Sequence, residues 1–294
     1  MHAFLATQIY LTHPEKVLDV ASNLTKQQLA EYYAAVADSM LPHIADRPLS
    51  LVRCPEGSGK PCFYQKHVGV GLPPGIGGIE IPNRKGGAAE TYLTLSTPEA
   101  LIGLAQIGVL EVHPWGSKNS ALEKPDRVII DLDPDTSIQW QTLVESALDV
   151  RTQLKRLGLR SFVKSTGGKG LHIVTPIVPE HEWPVVKDFV HRFALAMEAD
   201  NRQLYLTKMT KAARKGKIYI DYLRNERGAT AVAPYSPRAR DGAPVAVPLA
   251  WKELTLPQRP NFFVADFSQW QKRLLRNPWK NMLTIQQQLP IATQ

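Results

Sequence analysis

Cysteine is nearly absent from this chain. Cys54 and Cys62 are the only two in 294 residues, and no Cys or His stands near them at zinc-finger spacing. A disulfide-dense scaffold and a Cys-rich zinc module are excluded, and a reduced, cytoplasmic setting is the simpler expectation. Long apolar runs are lacking too: charge or proline interrupts each one well before the ~20 residues a membrane span needs. No membrane partner is expected. The opening segment MHAFLATQIY has no basic start, extended apolar stretch or small-residue cleavage site, so no secretory leader is expected. Internal repeats and long low-complexity tracts are missing as well. Acids are in deficit, 27 Asp and Glu against 35 Lys and Arg, for a formal charge of +8. With a sequence pI near 9.4, such a balance suits a nucleic-acid partner and a plain basic surface about equally.

What is present is a chain with 44% hydrophobic residues, long enough for one large or two small domains. Its chemistry concentrates in three carboxylates. Asp131 and Asp133 of RVIIDLDPD lie two apart in a β-branched stretch, so on a strand they share a face. Asp221 ends KIYIDYL, with Tyr219 on its own face and Ile218 and Ile220 on the other. Between them lies a Gly-rich turn, STGGKGLH, carrying Ser165, Lys169 and His172. A strand at about 126–132 leads to a helix at about 137–157, opened by Ser137 and stopped by Gly158. RSFVKS and GLHIVTPI flank the turn as strands, a second helix covers about 182–199, and KIYIDYL closes the set. The order β-α-β-β-α-β predicts an α+β (α/β) core of ferredoxin or RRM type. There the first strand is central, flanked by the third and fourth. Asp131, Asp133 and Asp221 therefore become neighbours, with His172 beside them.

Each of these residues also has a plainer reading. Two acids at a strand end can simply cap the next helix, and Asp135 of DPD belongs to the turn. A third acid on a neighbouring strand changes the weight, because like charges a few ångströms apart repel and a divalent cation is the usual reason to keep them together. Oxygen donors without Cys favour Mg²⁺ or Mn²⁺ over Zn²⁺. The glycine turn is not a Walker A motif and could be an ordinary hairpin loop, yet glycine N–H groups and Lys169 suit phosphate oxygens. His172 reads either as a core histidine or as a triphosphate donor, and His113 in EVHPW shares that ambiguity. The basic run KMTKAARKGK, with Arg224, Arg227, Arg238 and Arg240 beyond it, is a solvated surface or a phosphate-contacting border. Phe63 and Tyr64 beside Lys66 are a half-buried strand end or a base-stacking platform.

Residues 1–120 read as an N-terminal α/β module preceding a core at 121–294, the two forming one compact unit. Thr25 and Gln28 form a capping box opening a helix through about Met40. Strands are expected around 49–53 and 61–68, a loop from Pro73 to Arg84, a helix capped by Thr97 with Pro98 first, and an edge strand at EVHPW. Beyond Pro237 the chain is Pro-rich, ending in a polar helical strap around Phe267 to Arg276.

Taken in order, DLDPD, STGGKGLH and IDY resemble the three motifs of the archaeo-eukaryotic primase superfamily, most closely the polymerase domain of bacterial LigD. The likeness runs from about residue 10 to 255 through EKVLDV, LTKQQLAEYY, MLPHIADRPLSLVRCPEG, CFYQKH, EVHPW, TKMTKAARKGKIYIDYLRN and ATAVAPYSPRAR. It implies a primase-polymerase adding ribo- or deoxynucleotides to a 3′-OH at gaps and double-strand-break ends during non-homologous end joining, with ribonucleotides and Mn²⁺ preferred. By motif matching, Asp131, Asp133 and Asp221 would hold two Mn²⁺ or Mg²⁺ ions. Ser165, Lys169, His172, His113, Arg238 and Arg240 would hold the NTP or dNTP substrate. Lys16 and Lys26 match a pair that reads the DNA 5′-phosphate. Arg53, Phe63, Tyr64, Lys66 and Arg214 would meet template or primer, although the family commonly has Phe where Tyr64 stands and some relatives have a basic residue at Val52. Residues 83–90 correspond to a loop that helps bring two ends together. Ku and a DNA ligase are the implied partners, in a bacterial or archaeal cytoplasm near the nucleoid. No KxDG ligase motif or His-x-Asp-x-His phosphoesterase pattern occurs. The rival readings are a metal-dependent nuclease or phosphatase and a catalytically silent DNA-end-binding module.

Overall fold

Alternation along RVIIDLDP sends Ile130 and Leu132 to one side of a strand and Asp131 and Asp133 to the other, and the whole architecture is arranged around that strand. The computed structural model describes residues 11–83, 86–255 and 257–291. They form two units. One runs to Trp115 and takes up Val232–Ala246 and Asn261–Asn277; the other holds Gly116–Ala231, Val247–Pro260 and the stretch from Pro278. The expected division near residue 120 is thus a crossing at Trp115 and Gly116, after which the chain returns twice.

In the first unit β1 (Val17–Asp19) pairs with β2 (Leu24–Thr25), and α1 (Lys26–Ile44) follows. Thr25 and Gln28 make the expected capping box, satisfying two of the N–H groups a helix start leaves open. The sheet contains β3 (Leu49–Arg53), β4 (Phe63–Gln65), β5 (Gly77–Ile81), β6 (Glu90–Thr94) and β7 (Val109–Pro114), in the order β4-β3-β6-β5 with β7 on β3. Thr97 caps α2 (Pro98–Gly103) with proline at its start. The strap consists of α5 (Phe267–Trp270) and a 3-10 turn, Gln271–Arg276; its Phe267 ring meets Tyr32 edge-on at 5.3 Å.

Two expectations for this unit fail. The segment from Pro73 to Arg84 is not all loop, because β5 lies within it and pairs along its length with β6. Cys54 and Cys62 are not free thiols: they form a disulfide, Cα–Cα 4.4 Å, across the turn between β3 and β4. Hairpin pairing of Arg53 with Phe63 brings the two side chains together, a proximity that eight residues of sequence separation conceal.

The second unit contains β8 (Arg127–Pro134), α3 (Trp140–Arg156), β9 (Phe162–Ser165), β10 (Leu171–Pro176), α4 (Trp183–Asp200), β11 (Tyr205–Leu206), β12 (Ile218–Asp221) and β13 (Pro248–Leu249). Its sheet order is β11-β12-β8-β10-β9-β13. The predicted βαββαβ core is present, with β8 between β10 and β12, and β11 and β13 extend it at the edges. Leu143, Ala147, Val150 and Leu154 of α3 and Val186, Val190 and Met197 of α4 are buried at helical spacing. Ile129, Phe162 and Val174, on the face shared with Asp131 by alternation, pack with Trp279 and Met282. Ser137 does not start α3. Its hydroxyl donates to Asp135 Oδ2 at 2.6 Å, closing the DPD turn, and the helix begins after Gln139 without a side-chain cap. Gly158, at φ +77°, ends it as expected. Among the described residues no helix is long and apolar enough to cross a membrane.

Candidate active site

Cross-strand register assembles the site. Lys164 of β9 faces His172 of β10, His172 faces Asp131 of β8, and Asp131 faces Asp221 of β12. Directly opposed residues project to the same side of a sheet, so one row crosses four strands as cation, imidazole and two carboxylates. Asp133 sits one step along, opposite Tyr219. Residues about ninety apart in sequence share a surface because β8 is central.

Each carboxylate meets a cation of the chain itself. Asp131 Oδ2 lies 3.4 Å from His172 Nε2 and 3.3 Å from Arg224 Nε. Arg224 Nε is also 3.3 Å from Asp221 Oδ2. Asp133 pairs with Arg214 at 3.0 Å and Lys169 at 3.6 Å, and the Arg214 guanidinium lies 3.9 Å from the Tyr219 ring centroid. Burial alone would raise the Asp131 carboxyl, but His172, Arg224 and Lys164 outweigh it and hold it down at about 2. Asp221 goes the other way, raised by burial and by the charge of Asp131 in spite of Arg224. Burial and the Lys164 charge push His172 down to about 4 against the pull of Asp131, so the imidazole is neutral at neutral pH.

The turn between β9 and β10 is shaped by its glycines and one arginine. Gly167 takes φ +66°, and a Cβ on Gly170 would lie 2.6 Å from the Leu132 carbonyl oxygen. Thr166 Oγ1 donates to Gly170 O at 3.1 Å. Arg259 donates to Gly168 O at 3.3 Å and Lys169 O at 2.7 Å. The Ser165 hydroxyl is buried and accepts from Val247 N at 2.9 Å.

Three residues of this site escaped the sequence reading. Lys164 is 2% exposed, and a lysine inside an apolar strand, on the parity of the histidine face, was its available signal. Arg259 lies about ninety residues beyond the turn it clamps and had none. Arg224 stands out in the sequence only as part of a basic border.

Sequence-predicted residues of the first unit form three groups. Glu111 accepts from His113 Nε2 at 2.7 Å, Arg238 Nε at 2.8 Å and Ala239 N at 2.9 Å, while Arg240 is exposed. Lys26 is buried at the first position of α1 and donates to Thr12 O at 2.5 Å; Lys16 pairs with Glu56 at 3.1 Å. Burial and the nearby Lys16 charge depress the Lys26 ammonium, so the two lysines are electrostatic neighbours. Phe63 and Tyr64 are 47% and 65% exposed, apolar area left open beside exposed Lys66. Arg53 is tied to Ile107 O and Gln65 Oε1 and lies 5.4 Å over the Phe63 ring. Arg84 and Lys85 of the expected end-bridging loop lie outside the described residues.

Burial would raise Glu111, but His113, Arg238 and the Ala239 N–H hold it near 2 instead of its usual 4.5. A depressed carboxylate contributes stability above the unfolded pKa, lost as pH falls through the folded one. The Glu111 contribution, on the order of 3 kcal/mol, is therefore expected to fade between pH 4.5 and 2. Urea unfolding of the unmodified protein and Glu111→Gln checks this: the stability gap between them should narrow over that window, and a gap constant with pH would contradict it.

Among the described residues, no three His, Cys, Asp or Glu side chains converge closely enough to enclose one ion. The donor chemistry nevertheless fits Mg²⁺ or Mn²⁺: hard oxygens, Asp131 held ionised, and counter-cations on long side chains that can withdraw.

A family model described as "LigD, primase-polymerase domain" matches residues 25–279. The chain is 36% identical over 293 residues to the multifunctional non-homologous end joining protein LigD of Pseudomonas aeruginosa, covering 97% of this chain and 34% of that protein. The Mycolicibacterium smegmatis protein of the same name is 33% identical, with 85% and 33% covered. The bifunctional LigD of Bacillus subtilis is 27% identical, with 88% and 41% covered. The chain thus spans between 33% and 41% of the length of these relatives. A solved polymerase domain from Mycobacterium tuberculosis Ligase D in complex with DNA superposes with a TM-score of 0.86 at 30% identity, covering 94% of this chain and 98% of that one.

Proposed function

The chain belongs to the LigD primase-polymerase family, and is thereby a nucleotidyltransferase of the archaeo-eukaryotic primase superfamily; on that premise we propose that it extends 3′-OH ends at DNA gaps and breaks during non-homologous end joining. The observation that carries the reading is the row His172, Asp131, Asp221 beside Asp133 and the glycine turn. Asp131, Asp133 and Asp221 are the residues that would hold two divalent cations. Such ions, when bound, lower the pKa of the primer hydroxyl and neutralise charge on the departing pyrophosphate. Lys169 and the turn amides bind the triphosphate, and neutral His172 donates to it where negative charge grows as the leaving group departs. Arg214 positions the primer terminus from its place on Asp133. Phe63 and Tyr64 stack template bases, with Arg53 and Lys66 at the backbone, and His113, Arg238 and Arg240 are assigned to the nucleotide. DNA ends are the substrate class, Ku and a DNA ligase the partners, and the cytoplasm the setting.

Extension of a gapped, 5′-phosphorylated DNA, with each nucleotide class and with Mn²⁺ and Mg²⁺ in turn, tests the function. Incorporation with stoichiometric pyrophosphate is expected. DNA binding without incorporation under either metal would leave a silent end-binding module, and strand cleavage without pyrophosphate would leave a nuclease.

Lys16 and Lys26 yield a separate expectation. Lys26 opens α1, where unpaired N–H groups and a partial positive charge favour a phosphate, and two neighbouring ammonium groups complete a dianion pocket. A 5′-phosphate on the downstream strand should tighten binding by about 1–3 kcal/mol, and Lys16→Ala with Lys26→Ala should erase that increment. Affinities for gapped DNA with and without the phosphate, at one salt concentration, decide it. Equal affinities in the unmodified protein would remove end recognition and leave the polymerase reading standing.

A further inference from the structure

Arg224 is held in place more firmly than a surface arginine needs to be. It follows Asp221 by three residues on the 3-10 turn Leu223–Asn225. Leu223 N donates to Asp221 Oδ1 at 2.9 Å, tying the start of that turn to the carboxylate. At its end the Asn225 side chain accepts from Ile129 N at 2.8 Å and donates to Ile129 O at 2.7 Å. The amide thus continues the ladder on β8 beyond the Asp131–Asp221 pair, and Asn225 is 1% exposed. With the turn fixed at both ends, Arg224 Nε stands 3.3 Å from Asp131 Oδ2 and 3.3 Å from Asp221 Oδ2, while Nη1 donates to Thr230 O at 3.3 Å. One guanidinium therefore bridges the two carboxylates that share a register position.

We propose that Arg224 is a positioning residue that serves as a built-in counter-cation between Asp131 and Asp221, competing with a divalent cation for both carboxylates until the substrate complex displaces it. The proposal rests on the assignment of metal to these acids. Two physical effects oppose each other when Arg224 is removed. Repulsion between a guanidinium and an incoming divalent ion a few ångströms away disappears, and both Oδ2 atoms become available. Against that, the carboxylates lose a group that orients them and favours their ionised form. Coulomb repulsion at such separations is large even in a screened site, and the Leu223 N–H still orients the Asp221 carboxylate, so the first effect wins.

The test is Mn²⁺ binding by the full chain without nucleotide or DNA, read from loss of the free-ion electron paramagnetic resonance signal. Arg224→Gln is expected to lower the Mn²⁺ Kd by roughly tenfold or more. Arg224→Lys, which keeps the charge without the planar fork, is expected to fall between it and the unmodified protein. Adding Asp131→Asn to Arg224→Gln should abolish the gain. Unchanged or weaker Mn²⁺ binding in Arg224→Gln, with Asp131→Asn still weakening it, overturns the role of Arg224 alone. Tight Mn²⁺ binding that survives Asp131→Asn overturns the assignment of metal to the acids. Should Arg224→Gln fail to melt cooperatively, Arg224→Lys decides: no gain over the unmodified protein counts against the proposal.

Discussion

Asp133→Ala is expected to cut nucleotide incorporation by about three orders of magnitude or more, the scale at which loss of one essential charge-stabilising group acts on a shared site, while leaving affinity for gapped DNA nearly unchanged. Asp133 is the most open of the three acids, its side chain 36% exposed against 11% for Asp131 and 13% for Asp221. Its removal costs Arg214, 21% exposed, one ion pair but leaves it the bond to Met209 O at 2.9 Å and its place over Tyr219, and Lys169 is 43% exposed. Stability should change little. Asp131 is a worse test: it is buried between His172 and Arg224, so truncating it to alanine takes a partner from a buried imidazole and mixes lost stability with lost chemistry. Single-turnover incorporation with saturating nucleotide, alongside a DNA-binding titration and a thermal melt, separates these effects. A variant that keeps more than a few per cent of the incorporation rate would remove Asp133 from the site.

That the three acids belong together was legible because period-two parity survives folding. Once β8, β10 and β12 are recognised as strands of a βαββαβ unit, the faces of Asp131, His172 and Asp221 follow from geometry alone. The two helices were legible from their apolar spacing, and Gly158 from its position after the last apolar residue, Leu157, although that leucine is exposed. Contacts that close through space were not. β5 was hidden because Gly77, Gly78 and the nearby prolines punctuate the segment like a loop, and only pairing with β6 makes it a strand. Ser137 was misplaced because Asp135 captures its hydroxyl before the helix can. Cys54 and Cys62 meet only once Arg53 pairs with Phe63 across the hairpin. Arg259 reaches the glycine turn from a Pro-rich segment whose path no local pattern encodes.

Gly170→Ala is expected to separate the two contributions that the glycine turn makes, fold and substrate geometry, and to weigh far more on the second. A methyl group there would stand 2.6 Å from the Leu132 carbonyl oxygen, with Asp131 Oδ1 3.7 Å away. The close neighbour is backbone of the central strand and cannot swing aside like a flexible side chain. The turn itself must move, and it is held from the other side by Arg259 on the Gly168 and Lys169 carbonyls. Overpacking of this kind costs about 1–3 kcal/mol, so the variant should still fold and melt only a few degrees lower. The consequence for chemistry is larger, because Lys169 and the turn amides travel with the displaced backbone while Asp131 stays on β8. Misplacing a substrate-holding group by about 1 Å can cost roughly 10²-fold in rate. Incorporation should therefore drop by that order, with the apparent KM for nucleotide raised and affinity for gapped DNA retained. Unchanged nucleotide KM in a variant that melts only a few degrees lower would show that the close approach of Gly170 to β8 serves packing and not the triphosphate.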